Sequence, residues 1–260
     1  MCGIFGVGLL AGHSANLRDI EQIVSTLFIN SMMRGLDAAG IALVSQSSIH
    51  ILKDKGQASE LLASKEYADF IKLYFTNKTL HIMGHTRSET KGSHKDNVNN
   101  HPIVAGDFVG IHNGKISNDE ELFKKLEARG YAFRSGQVDS EIIFRMLDYG
   151  KKYEKCSTIN SIITSSLALI GGFAVACTER ETPHILYLFK NTPPIALHKF
   201  HDSGVIIYAS LDSYIDEAVK GRGLGVPIKE TIGVDSGVAI DLLRNTISRF
   251  IIGSRMLQGV

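Results

Sequence analysis

Strand-like stretches at both ends of the 260-residue chain flank a helix-rich middle, and this order constrains the fold more than any other property. Residues 2–7, Cys-Gly-Ile-Phe-Gly-Val, read as a buried strand. Leu17, Ile20, Val24, Leu27, Phe28 and Met32 recur at helical spacing and predict an amphipathic helix over 17–33. Residues 39–44 and 49–53 read as a hairpin across 45–48, residues 58–75 as helix, and 80–83 and 109–112 as strands. Ser117 with Glu120 predicts a capping box, and Gly130 a stop for the helix it starts. Asp139 stands at the head of a helix running through Leu147. The remainder is mostly strand: 173–177, 184–189, 195–200, 205–208 and 238–242, interrupted by a helix over 213–220. The pattern predicts an α+β class with sheets packed together, helices outside, and one domain over residues 1–260.

Bulk properties exclude several functions. A formal net charge of +1 with 21% charged residues gives no support for nucleic-acid or membrane-surface binding. The apolar start lacks a basic segment, so it does not read as a secretory signal. The apolar stretch 159–177 is broken by Asn160, by Ser and Thr, and by Gly171-Gly172, and reads as helix, turn and buried strand. Three cysteines, Cys2, Cys156 and Cys177, make no disulfide framework and fit a reducing cytoplasm. No Cys/His spacing of metal type appears, and no cofactor motif. Of the ten histidines, only His81 and His85 are spaced i, i+4, and they fall in a strand, where that spacing builds no helical ligand face.

Cys2 is the chemically informative residue. Removal of the initiator Met would make it N-terminal, with a thiol and a free α-amine on one residue. An α-amine titrates near pH ~8, so at neutral pH part of it is unprotonated and able to act as base for the thiol. Standing alone, a Cys in an apolar strand is more often a small packing residue than a catalytic one.

Other motifs change that balance. Arg34-Gly35-Leu36-Asp37-Ala38-Ala39-Gly40, Gly84-His85-Thr86-Arg87, Asn100-His101-Pro102, His112-Asn113-Gly114 and Val138-Asp139-Ser140-Glu141 follow the Cys-Gly-Ile start. In this order they resemble the class II glutamine amidotransferases, whose glutaminase domain is an N-terminal-nucleophile hydrolase. The likeness is greatest to the glutaminase domain of glucosamine-6-phosphate synthases and covers nearly the whole chain. It implies a four-layer αββα sandwich. It also implies that Cys2 is the nucleophile, that Asn113 and Gly114 form the oxyanion hole, and that Arg87, Thr90, Asp139 and His101 line the glutamine site. Arg34, Asp37 and His112 would support that site. A guanidinium suits an α-carboxylate and a carboxylate suits an α-ammonium. Alone, Asn113-Gly114 would read as a hairpin turn, Arg87 as a strand-end arginine and Asp139 as a helix N-cap. Gly40 would permit close backbone packing.

The resemblance has departures. After Gly-His-Thr-Arg the synthase-type pattern continues Trp-Ala-Thr-His-Gly, a lid over glutamine. Here it is Ser88-Glu89-Thr90-Lys91-Gly92, and the chain has no Trp. The implied activity is glutamine hydrolysis through a γ-glutamyl thioester. The stretch after Arg249 is too short for an acceptor domain, so the expected ammonia acceptor is a separate synthase subunit. The alternatives are a free-standing glutaminase, an amidase acting on another amide, and a regulatory domain without catalysis. The sequence leaves homo-oligomerisation open.

Overall fold

The computed structural model describes residues 1–131 and 133–253. The expected domain also includes residues 132 and 254–260, which lie outside the described residues. The elements are β1 (Gly3–Leu9), α1 (Leu17–Ser31), β2 (Ala38–Ser45), β3 (Ile49–Asp54), α2 (Ala58–Ala63), α3 (Lys65–Tyr74), β4 (Thr79–Arg87), β5 (Ile103–Ala105), β6 (Phe108–Ile116) and α4 (Asp119–Ala128). They continue with α5 (Ser140–Lys152), α6 (Thr158–Ala168), β7 (Gly171–Glu179), β8 (Ile185–Lys190), β9 (Ala196–Phe200), β10 (Val205–Ala209), α7 (Asp212–Ala218), β11 (Pro227–Thr231), β12 (Ser236–Asp241) and β13 (Thr246–Ile251). Among the described residues no helix is long and apolar enough to cross a membrane.

The strands form two antiparallel sheets, ordered β11-β9-β10-β1-β4-β2-β3 and β13-β12-β8-β7-β6-β5. Ile4, Ala42 and Met83 of the first sheet meet Val109, Ile111, Ala174 and Leu188 of the second in a core between the sheets. On its other face the first sheet buries Phe5, Val7 and Ile41 against Ile20, Val24, Leu27 and Phe28 of α1 and against α2, α3 and α7. The second sheet buries Phe108 and Phe173 against Phe123, Ile142, Phe144 and Ile162 of α4, α5 and α6. The order of layers is helix, sheet, sheet, helix, as the resemblance implies.

This layering explains the local sequence. A central strand covered on both faces needs apolar residues at both parities, and all seven residues of β1 are buried. The Phe5 ring meets Phe28 edge-on at 4.7 Å between centroids, an arrangement that contributes ~1 kcal/mol beyond burial and fixes the start of β1 against α1. The apolar stripe of α1 begins after Asn16, whose side chain accepts from Arg18 N at 2.8 Å.

Several expectations are corrected. The helix over 58–75 breaks at Ser64, whose ψ is 151° and whose Oγ accepts from Tyr67 N to start α3. The 117/120 capping box does not form. Ser117 Oγ donates to Ile170 O at 3.0 Å, Glu120 is drawn to Lys91 and Arg134, and α4 begins at Asp119. The strand over 109–112 extends to Ile116, so Asn113-Gly114 lies inside β6 and is no turn. Three strands lacked a clear signal: the short β5 and the exposed β11 and β13, all at sheet edges.

Gly40 does allow a close approach. A Cβ there would stand 2.1 Å from the His101 carbonyl oxygen, so the bare backbone of β2 is what lets the 97–102 stretch settle on the sheet. Gly40→Ala should destabilise the protein by ~1–3 kcal/mol, as overpacking at a rigid contact does. Urea denaturation reads this directly, and an unchanged midpoint would show that the contact yields freely.

Candidate active site

Three strand ends converge. Gly3 pairs with Thr86, so Cys2 lies just before β1 and beside the end of β4, where Arg87 emerges. His85 Nε2 donates to the His112 carbonyl at 3.1 Å and ties β4 to β6 across the gap between sheets. Asp139, at the head of α5, accepts from Ile116 N on β6 at 2.7 Å. Arg87 and Asp139 both act electrostatically on the Cys2 thiol. Cys2 is 9% exposed, Arg87 2%, Asn113 1% and Asp139 2%.

The thiol is bracketed by one residue. Ser88 N donates to Sγ at 3.4 Å, and Sγ donates to Ser88 O at 3.6 Å. Burial pushes the Cys2 thiol up, while the Ser88 N–H, the N-terminal charge and Arg87 oppose that shift. Arg34 Nε donates to the Cys2 carbonyl at 2.9 Å and holds the chain end, whose Met1 is 79% exposed. A Cβ on Gly35 would stand 2.4 Å from the Arg87 carbonyl carbon, so only glycine lets this loop pass beneath Arg87. Asp37 N donates to Arg87 O at 2.9 Å and its carboxylate accepts from Glu89 N at 2.6 Å. Arg34 and Asp37 thus fasten the chain on either side of the thiol.

Asn113 Nδ2 is a buried donor without a protein partner. Such a group costs ~1–3 kcal/mol and has its N–H free to donate to a bound molecule. Gly114 has φ +142° within β6, and a Cβ there would come within 1.9 Å of the Gly172 carbonyl oxygen. No other residue fits that backbone.

Arg87 is held from several sides. Nη1 donates to Asn100 Oδ1 at 2.7 Å, and Nη2 donates to the carbonyls of Lys91 at 2.8 Å and Gly92 at 2.5 Å. Asn100 Nδ2 in turn donates to Asn97 Oδ1 at 2.8 Å and His94 O at 2.7 Å. Lys53 Nζ donates to Asn97 O at 3.1 Å; burial and the charge of Arg87 bring its pKa down to about 8. Asp139, expected as an alternative to be a helix cap, occupies the N-cap position but makes no cap bond, since its carboxylate serves Ile116. Thr90 is exposed on the 88–92 segment, apart from this buried group. Asn100 lay within a recognised motif, yet nothing in Asn100-His101-Pro102 indicated that it would hold Arg87. Lys53 and Asn97 carried no signal at all, because their roles depend on β3 and the 97–99 turn meeting.

Burial favours the neutral form of four histidines, His81, His85, His101 and His112. Burial lowers His85 to about 3 and His81 to about 4, and pushes His101 and His112 down as well, Asp139 partly offsetting this for His112. His101 stacks on His85 at 4.0 Å between ring centroids, with both ring nitrogens unpartnered. His112 Nδ1 meets Ser140 Oγ at 2.7 Å. None of them is a charged partner for the thiol. Among the described residues no group of His, Cys, Asp and Glu could hold a metal ion.

Known proteins resemble this chain in sequence and in fold. A sequence profile of the glutamine amidotransferase domain matches residues 85–217, about half of the chain, so the chain belongs to that family. Helices enclosing two antiparallel sheets, with a cysteine at the head of β1, define the class II, N-terminal-nucleophile type within it. Similar proteins include the glutamine–fructose-6-phosphate aminotransferases of Bacteroides thetaiotaomicron, 28% identical over 201 residues, and of Cyanidium caldarium, 31% identical over 202 residues. Each alignment covers 76% of this chain and 30% of the relative. The fold matches glutamine phosphoribosylpyrophosphate amidotransferase from B. subtilis, solved with ADP and GMP, with a TM-score of 0.72 at 17% identity; the match covers 98% of this chain and 50% of that one. A second structure, the allosteric regulatory enzyme of purine biosynthesis, matches with a TM-score of 0.73 at 18% identity over 98% of this chain and 50% of that one.

Buried neutral histidines carry a pH signature. Below the ordinary value of 6.5 the unfolded chain takes up protons at His81 and His85, while the folded chain does so only near 4 and 3. The stability they support is complete above 6.5 and is lost as pH falls through that value towards 4. The urea midpoint should therefore drop across this window, and His81→Gln, remote from the thiol, should make the drop shallower. An equal slope in the two proteins would mean that His81 is charged in the fold.

Proposed function

We propose that this chain hydrolyses the side-chain amide of glutamine with Cys2 as an N-terminal nucleophile, and that its ammonia goes to an acceptor site on a separate partner. The observation that carries this reading is the unpartnered, buried Asn113 Nδ2 beside a glycine-only backbone, on the strand that the His85–His112 bond ties to β4, whose end lies beside Cys2. The Cys2 thiol gives its proton to its own α-amine, and the thiolate attacks the amide carbon. Asn113 Nδ2 and Gly114 N–H take the charge that develops on the amide oxygen. The ammonium returns its proton to the leaving nitrogen, the C–N bond breaks, and ammonia departs. Water, deprotonated by the same amine, then cleaves the γ-glutamyl thioester to glutamate and restores the thiol.

Arg87 takes the α-carboxylate of glutamine and Asp139 its ammonium, with Asn100 and Asp37 holding the surrounding chain in place. Thr90 and His101 line the site when the 88–92 segment moves. Ammonia is a waste product unless something consumes it, and the chain spans about 30% of the length of the curated relatives it matches, proteins named for an aminotransferase reaction on fructose 6-phosphate. A separate acceptor subunit in the cytoplasm fits that need and a chain with only three cysteines.

The mechanism requires an exposed α-amine on Cys2. Met1 is accessible and followed by a small residue, the condition for its removal. Intact-mass measurement of active protein should show the loss of one Met. Cys2→Ser should keep the fold but lose most glutamate release, and a glutamine-like electrophile should label Cys2 alone. Activity in protein that retains Met1, or inactivation through Cys156, would end the assignment.

Binding and chemistry should separate. Arg87→Ala and Asp139→Ala each remove a charge-assisted bond and should raise KM for glutamine about ten- to a hundredfold. Asn113→Ala removes a donor that matters most in the transition state, and should lower kcat by about 10²–10³. Steady-state kinetics of the three variants provide the comparison, and the opposite split would reverse the roles.

A further inference from the structure

Both bidentate forks of a guanidinium include Nη2, either with Nη1 or with Nε. In Arg87 that nitrogen already donates to the Lys91 and Gly92 carbonyls, while Nη1 is held by Asn100. A carboxylate that takes two hydrogens from Arg87 therefore competes with the protein's own backbone. The same segment covers the nucleophile, since Ser88 brackets Cys2 Sγ with its N–H and its carbonyl. With Arg87, Asn113 and Asp139 at most 2% exposed, these groups offer a substrate almost no open surface while the segment lies in this position.

The segment is fastened in this position by charge. Lys91 Nζ pairs with Asp119 and, at 2.7 Å, with Glu120 at the start of α4. Glu120 also accepts both Nη1 and Nη2 of Arg134, at 2.8 and 2.9 Å, and these two cations pull its carboxyl down to about 2. Arg134 is itself anchored, with Cζ 4.6 Å from the Phe123 ring centroid and Nε donating to Gly136 O. On the opposite side, Asp37 holds Glu89 N, and Glu89 holds His94 N and Nδ1. Lys91 is the residue that joins the segment's backbone contact with Arg87 to an acidic pair on a different element.

We propose that Lys91 is an affinity-determining residue: its ion pairs latch residues 88–92 in a self-occupied state in which the Lys91 and Gly92 carbonyls stand where the substrate carboxylate must bind. The substrate identity rests on the glutaminase reading above, whereas the latch itself rests on the contacts alone. Opening the latch frees the Arg87 fork and uncovers the thiol together, because one short segment does both. Breaking the ion pairs shifts the population towards the open state, and a ligand for that state then binds more tightly by the same factor.

The test uses iodoacetamide, a small neutral thiol reagent, on the full chain. Peptide mass spectrometry gives the rate of alkylation at Cys2 relative to Cys156, which is partly exposed and serves as an internal reference. Lys91→Met should raise this ratio about three- to tenfold, the range expected for losing a pair of partly exposed ion pairs. Lys91→Arg should restore it, and Lys65→Met, which removes a surface pair with Asp69, should leave it unchanged. Raising NaCl to about 0.5 M should move the wild-type ratio in the same direction by screening, a measurement that needs no variant to fold. KM for glutamine should fall in Lys91→Met by a matching factor. A ratio indifferent to both Lys91→Met and salt overturns the latch. A higher ratio with a higher KM also overturns it, because the latched form would then be the substrate-bound one. A higher ratio in a protein that never hydrolyses glutamine supports the latch and refutes the glutaminase reading instead.

Discussion

A guanidinium that is 2% exposed must find acceptors inside the protein, and the order of residues 88–100 follows from that need. Arg87 leaves the end of β4 pointing into the layer between the sheets' ends. Its hydrogens organise the Asn100 amide and the Lys91 and Gly92 carbonyls around it. Asn100 in turn fixes His94 and Asn97, and Asn97 exchanges bonds with Lys53 on β3. A loop with little regular structure thereby acquires a defined shape from one cation. Removing that cation would release the whole stretch, so the order of the loop depends on the same side chain as the proposed substrate grip.

The sheets supply what the loops cannot. Interlocking glycines let β1, β2 and β4 approach their neighbours closely: a Cβ on Gly84 would enter the Phe5 ring, and one on Gly6 would strike Tyr208. The His85 to His112 bond then sets the height of one sheet over the other. Because both its imidazole and that of His101 are neutral and fully enclosed, this support carries no charge to compete with Arg87 for the nearby carboxylate.

Much of this was legible in the residues. Strands at both ends with helices between indicated sheets packed together with helices outside, the four-layer order following from the family resemblance, and the motif series singled out Cys2, Arg87, Asn113, Gly114 and Asp139 as candidates. What escaped was set by contacts between distant segments. Helical periodicity ran through Ser64, since nothing apolar marks that break; only its hydroxyl, capping Tyr67, does. Ser117 and Glu120 had the right spacing for a capping box, but Ile170 and the Lys91–Arg134 pair claimed their side chains first. Asn113-Gly114 carries the strongest local turn signal in the chain, and tertiary pairing with Ala174 and Phe173 overrode it. The edge strands β11 and β13 bury too little to impose an alternating pattern.

That override at Gly114 has a consequence for how such a site can change. Its N–H direction comes from a φ of +142° and from the Gly172 carbonyl that leaves no room for a side chain. The direction of this N–H is thus written in backbone, and point substitution has no graded alternatives to offer there. Any lineage or library that alters substrate preference must do so through side chains of the surrounding loops, chiefly 88–100. The chemical centre stays constant while its doorway diversifies. A selection experiment on this scaffold would accordingly accumulate its changes around Lys91 and Asn100 and leave β6 untouched.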